Sequence, residues 1–98
     1  MITISNPLDT SKTIGFSCAF EKTRNGFRHL CESTDGVKAK CTYLNRTWEA
    51  YCFQSVLHSC AYNWILANTA LNPKTKRDSE AFHSLWRKMN AEIDSHHC

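Results

Sequence analysis

Two dipeptides constrain this chain more than any other feature. Asn25-Gly26 and Asp35-Gly36 each lie between alternating, β-prone stretches. Asn-Gly and Asp-Gly are the pairs that tight hairpin turns select, because their backbones reach positive φ at little cost. They predict a three-stranded antiparallel meander over residues 13–24, 27–34 and 37–44.

Side-chain parity then tests the register, since a strand alternates faces with a period of two. A two-residue loop at Asn25-Gly26 pairs Arg24 with Phe27 and Phe20 with Cys31, and gathers Phe16, Cys18, Phe20, Phe27, His29 and Cys31 on one face. A two-residue loop at the second turn would send Val37, Ala39, Cys41 and Tyr43 to the other face. A three-residue loop, Thr34-Asp35-Gly36, with Gly36 left-handed in a bulge, shifts parity by one and unites the apolar set. Glu32 then faces Lys38, Leu30 faces Lys40 and His29 faces Cys41. Arg28, Lys38 and Lys40 make the outer face mildly basic.

The next element is helical. Trp48, Cys52, Phe53, Val56, Leu57, Cys60, Ala61 and Trp64 recur at three- and four-residue spacing, predicting an amphipathic helix over 48–68 that covers the sheet's apolar face. Thr47 is the expected N-cap, Trp48 the expected plug of the sheet–helix seam, and Glu49 the anion favoured in the first turn. The helix flank reads Tyr51, Gln54, Ser55, His58 and Tyr62. Asn72-Pro73 marks a turn, residues 74–79 a polar connection, and Phe82, Leu85, Trp86, Met89 and Ile93 a final helix over 79–94. The expectation is a single α+β domain over 1–98, with residues 1–12 as a lead segment and 95–98 as a frayed tail.

Composition narrows the function classes. Hydrophobic residues make up 42% of the 98 and charged residues 21%, an ordinary globular balance. No apolar run approaches the roughly 18 residues of a membrane span, and no basic-then-apolar leader opens the chain, which points to the cytoplasm. There the six cysteines are expected as free thiols, mostly in the core. No CxxC pair gives zinc-type spacing, and the His96-His97-Cys98 tail is at most an opportunistic ligand set, so no metal or cofactor is expected. His58 and Cys60 point to different helix faces, the carboxylates sit on solvated elements, and three glycines form no phosphate loop. An enzyme is not expected.

The net charge of +3 resides in the sheet region: residues 1–46 hold seven Lys/Arg against four Asp/Glu. Nucleic-acid binding by this face is one alternative reading, and a Cys/His metal protein is a second. The favoured surface combines Arg28, Lys38, Lys40 and Arg46 with the helix edge Tyr51, His58 and Tyr62, which offers the aromatic and arginine chemistry of protein interfaces.

Two segments carry a resemblance: Arg24-Asn25-Gly26-Phe27-Arg28-His29, and the run from Lys40 to Leu57 with its Asn45-Arg46-Thr47-Trp48-Glu49 strand-to-helix junction. Over about residues 20–60 the chain resembles small uncharacterised phage and prophage proteins. The resemblance implies a non-enzymatic accessory protein that binds and inhibits a host defence complex in the host cytoplasm, in the format of anti-CRISPR inhibitors. Its partner would be a host protein or nucleoprotein such as a CRISPR effector.

Overall fold

The computed structural model describes residues 1–96. Its sheet has four antiparallel strands in the order β1 (Ile2–Asn6), β2 (Asp9–Lys22), β3 (Phe27–Ser33) and β4 (Lys38–Tyr43). The expected α+β class holds, with one strand more than the meander. The lead segment is that strand. Ile2 and Ile4 alternate with Thr3 and Ser5, so both isoleucines face inward opposite Phe16 and Ile14. Pro7-Leu8 turns the chain, and the Asn6 side chain accepts the Leu8 amide at 2.8 Å.

The second hairpin turn is the expected one. Ser33 donates its amide to the Val37 carbonyl at 2.8 Å, and Gly36 sits at φ 89°, the left-handed region. Glu32 faces Lys38, Leu30 faces Lys40 and His29 faces Cys41.

The first hairpin turn differs from expectation. Lys22 pairs with Phe27, so Thr23 to Gly26 form a four-residue loop, closed by the Thr23 amide on the Gly26 carbonyl at 2.8 Å. Asn25 and Gly26 have no positive φ. Gly26 is needed for a close approach instead, because a Cβ there would collide with the Tyr43 carbonyl and lie 2.9 Å from Leu44 Cα. Lengthening the loop by two keeps parity but moves the partners: Phe20 faces His29, and Cys18 faces Cys31.

Tyr43 leads into a 3-10 turn, Arg46–Trp48, then α1 (Glu49–Asn68) and α2 (Lys76–Ser95). Asn45, in extended backbone, caps the 3-10 turn by accepting the Thr47 amide at 3.0 Å, so the cap is Asn45 and not the expected Thr47. The turn swings Trp48 off the helical stripe, so it is 58% exposed and plugs no seam. Of the rest of the stripe, Cys52, Val56, Leu57, Cys60, Ala61 and Trp64 are buried, with Ile65 one position on, and Phe53 is half-buried.

The polar connection is shorter than expected, and α2 begins three residues early. Thr75 accepts the Asp78 amide at 3.3 Å, and the Asp78 carboxylate accepts the Asn72 amide at 3.1 Å, so residues 76–79 form the first turn. Phe82, Met89 and Ile93 are buried, while Leu85 and Trp86 are half-buried. The helix reaches Ser95, and the His96 ring bonds the Thr3 carbonyl at 3.0 Å. His97 and Cys98, the remainder of the expected frayed tail, lie outside the described residues.

Both helices lie on one face, α1 over β3 and β4 and α2 against β1 and α1. Between them and the sheet, Ile4, Ile14, Phe16, Cys31, Leu57, Trp64, Phe82 and Met89 form one core. Two of the cysteines are not free thiols. Cys41 on β4 and Cys52 in α1 face each other across the seam with Cα atoms 5.9 Å apart and form a disulfide. Parity alone puts both on the inner side; that they meet depends on where the helix crosses. Among the described residues no helix is long and apolar enough to cross a membrane.

Candidate partner-binding corner

The seven residues expected to form one surface are divided among three places. Arg28, Lys38 and Lys40 lie on the outer face of the sheet. There Arg28 is taken by Glu21, to which its Nε donates at 2.6 Å, and Glu32 stands beside Lys38. That face is mixed in charge rather than a basic stripe. His58 and Tyr62 are the seat of α2. Tyr62 packs edge-on against Phe82 and Trp86, with ring centroids 4.8 and 5.1 Å away. The Trp86 indole donates to the His58 carbonyl at 2.9 Å, and the His58 ring bonds Asp94 at 2.8 Å.

Arg46 is brought together with residues the periodicity did not select, whereas Tyr51 lines a shallow groove with Gln54, Ser55, His58, Ser59 and Trp86. The sheet's inner face outruns the helices at the first hairpin, where Phe20 stacks on Phe27 at 5.7 Å and Phe27 on Tyr43 at 5.6 Å. The Arg46 guanidinium lies over both phenylalanines, 5.0 Å from the Phe20 centroid and 5.4 Å from that of Phe27. Glu49 holds it there with bonds of 2.8 Å to Nε and 2.7 Å to Nη2. Trp48 and Tyr51 meet edge-on at 6.3 Å. Tyr51 is 68% exposed, Leu44 76% and Phe20 44%, so an apolar corner capped by one arginine remains open to solvent.

Beside it lies a groove of about 420 Å³ lined by His29, Arg46, Thr47, Glu49, Ala50 and Phe53. His29 is buried among Phe20, Tyr43 and Phe53. Burial pushes its pKa down from the ordinary value and nearby Arg46 adds to this, with Glu49 opposing, so the ring is neutral at pH 7. Its Nδ1 and the Tyr43 hydroxyl are buried and have no hydrogen-bond partner among the described residues.

The corner adjoins an open strand edge. β1 pairs with β2 only as far as Phe16, and Ser17, Cys18, Ala19 and Phe20 are all exposed. The Gly15 carbonyl accepts the Thr34 amide, on the β3 side. By alternation the main-chain N–H and C=O groups of Cys18, Phe20 and Lys22 point to the other edge, where no described strand lies. The opposite edge is partly closed: Asn63 of α1 donates to the Lys38 carbonyl at 3.1 Å.

These features define an α+β sheet-and-two-helix domain with one exposed aromatic corner. No protein-family model, curated protein or solved structure matches the chain. Among the described residues no three His, Cys, Asp or Glu side chains converge to hold a metal ion.

Proposed function

We propose that this chain is a non-enzymatic binding protein that engages a partner protein through the corner formed by Phe20, Leu44, Arg46, Trp48 and Tyr51. The observation that carries this reading is the exposure of a tryptophan, a tyrosine and an arginine-capped phenylalanine pair at one end of a sheet whose adjoining edge is unpaired. Trp, Tyr and Arg are the residues that dominate binding hot spots, and an open edge offers main-chain bonds to an extended segment. Direct nucleic-acid binding is less favoured, because Glu21 and Glu32 interrupt the lysines and arginines of the outer face.

The likeness of residues 24–29 and 40–57 to phage and prophage proteins supports a partner in the host cytoplasm. A defence complex such as a CRISPR effector is the target proposed on that basis, with inhibition by occupancy as the mode. The test is co-purification of the tagged chain from host cells. Trp48→Ala with Tyr51→Ala should lose the partner and Lys38→Glu with Lys40→Glu should retain it; the reverse pattern would move the site to the outer face.

A further inference from the structure

Cys18 and Cys31 stand directly opposite one another on β2 and β3, with both side chains on the inner face. Because the amide groups of Cys18 point away from β3, the two form a non-hydrogen-bonded pair. In such pairs the Cα atoms approach to about 4.5 Å and the side chains come closest. That lies within the roughly 4.4–6.8 Å that a disulfide spans. The two differ in access: Cys18 is exposed and Cys31 is 2% exposed. Cys31 lies between Cys18 at the sheet edge and Cys60 of α1, close enough that its thiol shifts the ionisation of both. Cys60 in turn donates to the Val37 carbonyl at 3.4 Å.

We propose that Cys18 and Cys31 are a reversible oxidation site, with Cys18 the thiol that meets a hydroperoxide at the surface and Cys31 the buried thiol that resolves it into a cross-strand disulfide. The Cys18 thiolate attacks the outer oxygen of the hydroperoxide; an S–O bond forms, the O–O bond breaks, and the leaving oxygen takes a proton to depart as an alcohol, or as water from hydrogen peroxide. Cys18 is then a sulfenic acid. The Cys31 sulfur attacks the Cys18 sulfur, the S–S bond forms as the S–O bond breaks, and the hydroxide leaves as water with the Cys31 proton. Two thiols lose two electrons and two protons, and the hydroperoxide is reduced by the same two electrons.

The electrostatics agree with these roles. The neighbouring Cys31 thiol pulls the Cys18 thiol below its ordinary value against a smaller opposing effect of burial, and the N-terminal ammonium adds to the lowering. The neighbouring Cys18 and Cys60 thiols, together with burial, push Cys31 up. The attacking thiol is therefore the accessible one that ionises more readily. None of this depends on the partner-binding corner.

The test treats the full chain carrying Cys98→Ser with hydrogen peroxide, blocks remaining thiols by alkylation, and maps disulfides by mass spectrometry. The expected result is loss of the mass of two hydrogens, a linked Cys18–Cys31 peptide, unmodified Cys60, and full reversal by a dithiol. In Cys31→Ser, Cys18 should gain one oxygen and become reactive to a sulfenic-acid trap. In Cys18→Ser, Cys31 should stay reduced at the same dose. A Cys31–Cys60 link, or Cys18 oxidised beyond sulfenic acid in the Cys98→Ser protein without any link, would overturn the assignment, and the map of that protein decides even if either second variant fails to fold.

Discussion

Asp35 accepts the indole N–H of Trp64 at 2.9 Å, so the bulged turn between β3 and β4 is tied to α1 by one carboxylate oxygen while the other accepts the Ser33 hydroxyl. Burial raises the Asp35 pKa, but the bonds from Ser33, its own backbone amide, Asn68 and Trp64 outweigh it, and the net direction is downward. Hydrogen bonds to charged groups contribute about 1.5–3 kcal/mol, and solvent screening of this exposed carboxylate reduces that, so Asp35→Ala should cost about 1–2 kcal/mol. Urea unfolding followed by tryptophan fluorescence reads this as a lower midpoint at unchanged slope.

Acid should loosen the aromatic corner before it loosens the Asp35 turn. His29 has a folded pKa below its unfolded value of about 6.5. Its contribution to stability is present above that value and is lost as pH falls through the depressed folded one. Asp35 and Asp78, also lowered, act with the same sign but only below the carboxylate range. Unfolding midpoints measured across this span should fall with acidification, and His29→Phe should remove the upper part of the slope while leaving the lower part.

The two hairpin glycines should fail for different reasons. Gly36→Ala meets no neighbour but must hold φ 89°, which costs about 1–2 kcal/mol. Gly26→Ala has no conformational objection, yet its Cβ would run into the Tyr43 carbonyl, so the loop must shift. Thermal melting should show the larger loss for Gly26→Ala. Amide exchange should locate its effect at the β2–β3 hairpin and Tyr43.

The Cys41–Cys52 link closes a loop of 11 residues, for which chain entropy gives a stabilisation of about 3 kcal/mol. Cys41→Ala with Cys52→Ala should lower the unfolding free energy by that order. Mild reduction of the unmutated chain should give the same shift. An unchanged melting temperature in both would remove the link from the account.

The fold was legible wherever local pattern decides it. Parity placed Gly36 in its bulge and paired Glu32 with Lys38 and His29 with Cys41. It was insensitive to a loop longer by two, which is why Cys18 rather than Phe20 faces Cys31. Ile2 and Ile4 carried the period-two signal of β1, and Asn6-Pro7 its turn, but five residues form a weak segment until β2 is known to extend back to Asp9. The site was legible only in part. Arg46 meets Phe20 and Phe27 only once the strand-to-helix junction has folded, and Tyr62 and His58 look like free flank until α2 docks on them. Trp48 reads as core by spacing, and only the 3-10 turn capped by Asn45 turns it outward.

The most direct test is a photo-crosslinking amino acid placed at Tyr51, at Leu44 and, as a comparison, at Lys40 on the outer face, each irradiated in host cells. The proposed corner predicts one shared crosslinked protein from Tyr51 and Leu44 and none from Lys40. Crosslinks from Lys40 alone, or from none of the three while the unmodified chain still co-purifies with a partner, would contradict it.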